Sequence, residues 1–85
     1  MKEFTYKITD SVGIHARPAG LLVKKAAEFK SDITLLKGDK TADAKKIFSV
    51  MALGAKCADE ITVKISGVDE ESAAAELQTF FEENL

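Results

Sequence analysis

The spacing of apolar residues changes period repeatedly along this chain, and each change demands a different backbone geometry. Phe4, Tyr6 and Ile8 alternate with Thr5 and Lys7, the period of a strand with one buried face. Asp10-Ser11-Val12-Gly13 breaks that alternation with turn-forming residues. From about Ala16 the period lengthens: Ala19, Leu22, Val23, Ala26 and Phe29 fall on one side of a helix, with Lys24, Lys25 and Glu28 on the other. Pro18 belongs near the start of that helix, where a missing N–H leaves no bond unmade.

The pattern then shortens again. Residues 32–37, with Ile33, Leu35 and Leu36 as apolar members, read as a strand. Gly38-Asp39 is a turn into a short strand over 40–43, so the pair forms an antiparallel hairpin. Residues 47–53 are too apolar for a loop and read as a short helix ended by Gly54, although their local pattern also permits a strand. Ile61, Val63 and Ile65 alternate within a fourth strand over 60–66. After Gly67, Asp69-Glu70-Glu71 places acid where a helix macrodipole favours it, and Ala73, Ala74, Leu77, Phe80 and Phe81 form the stripe of a last helix.

The order β-α-β-β-α-β-α predicts an α+β fold: an open-faced β-sandwich whose four-stranded antiparallel sheet carries three helices on one face. Its two β-α-β passages fit a split β-α-β arrangement. At 85 residues, without repeats or linkers, residues 1–85 are expected to form a single domain.

Composition narrows the function. The lone Cys57 leaves no internal disulfide framework and suits a reducing compartment. No apolar leader opens the chain, and no apolar run approaches the ~20 residues of a membrane span. A cytoplasmic location without membrane insertion is expected. The net charge of -2 conceals an asymmetry: residues 1–46 carry ten Lys/Arg against six Asp/Glu, and residues 47–85 carry two against eight. The basic half suits an acidic partner or a phosphate, while the acidic whole argues against nucleic acid. No Gly-rich nucleotide loop, Ser/His/Asp set or metal-spaced cluster is present, so no cofactor, no metal and no stand-alone enzyme are expected.

The chemistry concentrates at Gly13-Ile14-His15-Ala16-Arg17-Pro18-Ala19. His15 is the only histidine, set after a glycine turn and at the mouth of a helix. Alone, such a residue reads as an exposed cap histidine. Its conjunction with Gly13, Arg17 and Pro18 favours a nucleophilic imidazole that takes a phosphoryl group. The first-turn N–H groups, those of Ala16 and Arg17 among them, would face the new anion, and Arg17 would add a planar guanidinium fork. A helix dipole contributes roughly 0.3–2 kcal/mol to such an anion. A charge-assisted hydrogen bond adds about 1.5–3 kcal/mol. That much moderates a phosphohistidine without trapping it.

On these residues the chain resembles the HPr family, the histidine-containing phosphocarriers of the bacterial phosphoenolpyruvate:sugar phosphotransferase system. Lys45-Lys46-Ile47-Phe48-Ser49-Val50-Met51-Ala52-Leu53-Gly54 resembles a second signature of that family. The resemblance implies that phosphorylated enzyme I, charged by phosphoenolpyruvate, donates to Nδ1 of His15. The carrier then passes the group to enzyme IIA domains during sugar uptake. It also implies a docking surface built from Gly20, Leu21, Lys24, Lys45, Ile47, Phe48 and Met51. The residues themselves leave open whether Ile47, Phe48 and Met51 lie in the core with Val50 and Leu53 or form an exposed apolar patch.

One position departs from the family pattern. Lys46 stands where many Gram-positive relatives carry a regulatory, kinase-phosphorylated serine, so that control is not expected here. Ser49 does not inherit the role. A monomer is expected. The second reading is an HPr-like regulatory paralogue, a nitrogen-branch carrier or partner-binding module. The intact His15 and Arg17 argue against a control paralogue that has lost its histidine, but a nitrogen-branch member would keep them.

Overall fold

The computed structural model describes residues 1–11, 13, 14 and 16–85. Its elements run β1 (Lys2–Lys7), α1 (Ala16–Ala26), β2 (Asp32–Lys37), β3 (Lys40–Asp43), α2 (Ile47–Ala52), β4 (Glu60–Ser66) and α3 (Glu70–Asn84). The strands pair in the order β1-β4-β2-β3, antiparallel throughout. β4 therefore inserts between β1 and β2, the first two strands of the chain, which is the split β-α-β arrangement.

Register turns the period of two into layers. Phe4 pairs with Val63, Val63 with Leu35, and Leu35 with Ala42, so one apolar row crosses all four strands. The neighbouring row, Glu3–Lys64–Thr34–Asp43, points away from the helices. A slip of one residue would exchange the two faces, which is why alternation this regular specifies the register. Leu36 sits in an outward row between Thr62 and Thr41, half-buried although apolar.

α3 closes the covered face over β1 and β4. Its fully buried Phe81 meets Phe4, Tyr6 and Phe80 in edge-to-face contacts, with centroids 5.8, 5.6 and 6.3 Å apart. Each such pair is worth about 0.5–1.5 kcal/mol beyond the area it buries. Leu22, Ala26, Val50 and Leu77 complete the same core from the three helices, with Leu53 joining from the C-cap of α2. Phe29 belongs to that core from the turn after α1 rather than from the helix itself.

A polar clamp ties the helical layer to the sheet. Ser31 is fully buried, and its hydroxyl and N–H both donate to Asp69, which also accepts from the Lys30 N–H. Gly67 must be glycine at this crossing, because a Cβ there would lie 2.5 Å from Ser31 Cα. The Ser31 hydroxyl, followed by the Lys30 amide, holds the Asp69 carboxyl below its usual pKa, partly offset by desolvation.

Candidate functional site

α1 begins at Ala16, directly after position 15 in the chain. His15, the expected phosphoryl acceptor, and Val12 lie outside the described residues. The residues just before His15 are held by backbone hydrogen bonds. Asp10 O accepts from the Gly13 N–H at 3.1 Å, closing the turn anticipated there. Gly13 has φ +78°, and a Cβ on it would lie 2.4 Å from Ala55 O. Only glycine tolerates both demands. Ile14 is buried and donates its N–H to the same Ala55 O at 3.0 Å.

Downstream, Pro18 is buried as the third residue of α1, where its missing N–H falls among those that have no intrahelical partner. Ala16 and Arg17 are exposed in the same first turn. No acidic side chain occupies that turn, while Lys24 and Lys25 stand in the last one, where the helix dipole favours cations. Arg17 also lines a shallow depression of about 220 Å³ with Asp10, Pro18, Leu21, Glu83 and Asn84. The first turn of α1 thus carries a permanent cation at Arg17, and its leading N–H groups have no partner within the helix.

α2 settles which residues of the second motif are core. Val50 and Leu53 are 0% and 2% exposed, whereas Phe48 is 84% exposed and Ile47 and Met51 also face solvent. Leu21 of α1 is exposed beside them. Gly20 lies against Ile47, whose Cδ1 would be 3.9 Å from a Cβ at position 20. Gly20, Leu21, Ile47, Phe48 and Met51 therefore belong to two helices that pack on each other.

The lysines divide between two tasks. Lys24 and Lys46 are exposed. Lys45 is half-buried, and its ammonium donates to Phe29 O at 2.8 Å, which fastens α2 to the turn after α1. Lys25 pairs with Glu76 at 2.8 Å and with Glu28 at 3.4 Å. The Glu76 hydrogen bond, ahead of a smaller desolvation effect, raises the Lys25 pKa. Lys37, not singled out from the sequence, donates to Gly54 O at the end of α2 and stands 3.4 Å from Asp59. Ser49 accepts the Asp43 N–H at 2.9 Å, a structural bond at the entry to α2.

With this geometry in hand, the class is that of small carrier domains built as an open-faced α+β sandwich. Residues 2–83 match the family model described as "PTS HPr component phosphorylation site". The phosphocarrier protein HPr of Mycoplasma capricolum is 44% identical over 73 residues, covering 86% of this chain and 82% of its own. That of Mycoplasma genitalium is 42% identical over 85 residues, covering 99% and 97%. The crystal structure of an HPr from Thermoanaerobacter tengcongensis superposes with a TM-score of 0.92 at 39% identity, covering 96% of this chain and 92% of that one. The chain belongs to the HPr family of phosphocarrier proteins. Among the described residues, no helix is long and apolar enough to cross a membrane.

Proposed function

We propose that this chain works in the cytoplasm as a covalent phosphoryl carrier. His15 accepts the group on Nδ1 from phosphorylated enzyme I and surrenders it to enzyme IIA domains of sugar uptake. As the new P–N bond forms, the bond between phosphorus and its enzyme I carrier atom breaks, and the reverse exchange occurs at the IIA domain. The first-turn amides and the Arg17 guanidinium share the charge of the bound phosphoryl group. Neither encloses it, so a second nucleophile has access for in-line attack.

The observation that carries this reading is the start of α1 at Ala16, with Arg17 exposed in its first turn and buried Pro18 fixing the turn's position. A carrier has to be approached by two different proteins in succession. The exposed Leu21, Ile47, Phe48 and Met51 supply an apolar surface on α1 and α2, and Gly20 lies against Ile47 where the two helices meet. Lys24 flanks that surface and speeds encounter with acidic partners. Lys45 contributes by holding α2 in place through Phe29 O. The 85 residues act as one domain and as a monomer.

The test is incubation with phosphoenolpyruvate, purified enzyme I and a IIA domain. The expected product is an acid-labile, base-stable phosphohistidine that is discharged by the IIA domain. A phosphorylated protein that cannot be discharged by any sugar-specific IIA domain would favour the nitrogen-branch or regulatory reading.

A further inference from the structure

The loop between α2 and β4 packs against the turn that precedes the acceptor, and one ammonium closes that loop at both ends. Lys37, half-buried at the end of β2, donates from Nζ to Gly54 O at 3.0 Å and stands 3.4 Å from the Asp59 carboxylate. Between those ends the loop meets the segment after β1 repeatedly. Ala55 is buried, and its carbonyl oxygen accepts the Ile14 N–H. Ala58 donates its N–H to Ile8 O at 2.8 Å, and Asp59 O accepts the Ile8 N–H at 3.0 Å. A Cβ at Gly13 would lie 2.6 Å from Lys56 Cα, so loop and turn meet without slack.

The loop's own backbone does not favour this shape. Ala58 has φ +74°, a left-handed conformation that a Cβ disfavours and that persists only where surrounding contacts impose it. Asp59 supplies one such contact within the loop, its carboxylate accepting the Lys56 N–H at 2.8 Å. Lys37 supplies another, from β2.

We propose that Lys37 is a positioning residue for phosphoryl transfer at His15, acting through the loop it closes. The inference rests on the carrier function proposed above. Lys37 fixes Gly54, Gly54 leads directly into Ala55, and the Ala55 carbonyl fixes Ile14, the residue before the acceptor. α2 is held independently, by Val50 in the core and by Lys45 on Phe29 O. Removing the ammonium should therefore displace the acceptor more than the docking surface.

The experiment compares the parent protein with Lys37→Met, which removes the charge from an unbranched side chain, and with Lys37→Arg, which keeps it. Amide exchange at Ile14 is read alongside steady-state phosphorylation by enzyme I. In Lys37→Met, Ile14 exchange should rise about fivefold, the size expected for loss of a partly exposed charged contact. Exchange at Ala44, bonded to Ile33 O, should stay near the parent value. kcat should fall by about fivefold, as for a displaced reacting group, with KM for enzyme I within about twofold of the parent. Lys37→Arg should restore both exchange and kcat.

A merely structural role for Lys37 predicts lower stability with kcat unchanged, and that result overturns the proposal. A loss carried wholly by KM overturns it too, as does a fall in kcat without faster Ile14 exchange. If Lys37→Met does not fold, Asp59→Asn opens the same closure from its other end. The same losses are then expected, and a parent-like kcat in Asp59→Asn overturns the proposal. A parent protein that accepts no phosphoryl group rejects the carrier function itself, which separates the two failures.

Discussion

α1 and α2 pack side by side, yet the proposed carrier function draws on them in opposite ways. At the start of α1 the candidate features are local: a left-handed turn that only glycine accommodates, a histidine directly before the helix in the sequence, an exposed guanidinium and a proline in the first turn. α2 has no such chemistry. Its contribution depends on which apolar residues the fold declines to bury, and that is a property of the whole molecule. Chemistry can be concentrated in seven consecutive residues, whereas a docking surface emerges from how two helices meet.

The contrast is tested most strongly at α2 and the Leu53 that caps its end. Leu53→Ala removes a fully buried side chain and should destabilise the protein by about 2–5 kcal/mol in denaturant unfolding. Phe48→Ala, only a few residues away, should change stability by no more than about 0.5 kcal/mol. It should instead raise KM for enzyme I by roughly tenfold with kcat little altered. Equal stability losses would show that Phe48 packs as core.

On the α1 side, Arg17→Ala should lower the rate of phosphoryl transfer by roughly tenfold or more, in line with the loss of a charge-assisted hydrogen bond. The docking of enzyme I should be much less affected. Stopped-flow transfer at varied enzyme I concentration separates the two, and a pure KM effect would move Arg17 from the chemical site to the docking surface. A smaller effect is expected for Lys24→Glu, a few-fold slower association at low ionic strength that fades at high salt. Salt-independent rates would remove electrostatic steering from the account.

The polar clamp between the layers gives a pH signature of its own. Hydrogen bonds from Ser31 and Lys30 hold the folded-state pKa of Asp69 below its unfolded value. Its stabilising contribution is therefore complete above about pH 4 and is lost as pH falls through the depressed value. Asp59 behaves likewise, held down first by the Lys56 amide and then by Lys37. Urea midpoints measured for the parent and Asp69→Asn should differ above pH 4 and converge in acid. A constant difference at all pH values would contradict the assignment.

Much of the architecture was legible because the core is laid out by regular alternation. Phe4 and Tyr6, Ile33 and Leu35, and Ile61, Val63 and Ile65 announced their strands, and the turns at Gly38 and Gly67 marked where the periods changed. Leu36 escaped that logic, since an apolar residue in a strand gives no sign that it faces outward. α2 was ambiguous for a related reason: five apolar side chains crowd six or seven positions, and only contact with α1 decides which remain in solvent.

The candidate site residues and the contacts around them divide the same way. Arg17 and Pro18 could be placed from adjacent residues because a helix start has fixed needs. The engagement of Lys45 with Phe29 O, of Lys37 with Gly54 O and of Leu85 with Thr9 and Asp10 joins residues 16, 17 and about 75 positions apart. Spacing rules of two or 3.6 carry no information at such separations. In each case the acceptor is a backbone carbonyl, which leaves no mark on the identity of its residue.

The most direct test of the account is to locate the phosphoryl group after reaction with enzyme I and phosphoenolpyruvate. Intact mass should rise by one phosphoryl group, and fragmentation under non-acidic conditions should place it on His15, with a His15→Ala variant that folds normally gaining nothing. A phosphoryl group on Ser49 or another hydroxyl, or one still acquired by His15→Ala, would contradict the claim that the start of α1 carries the chemistry.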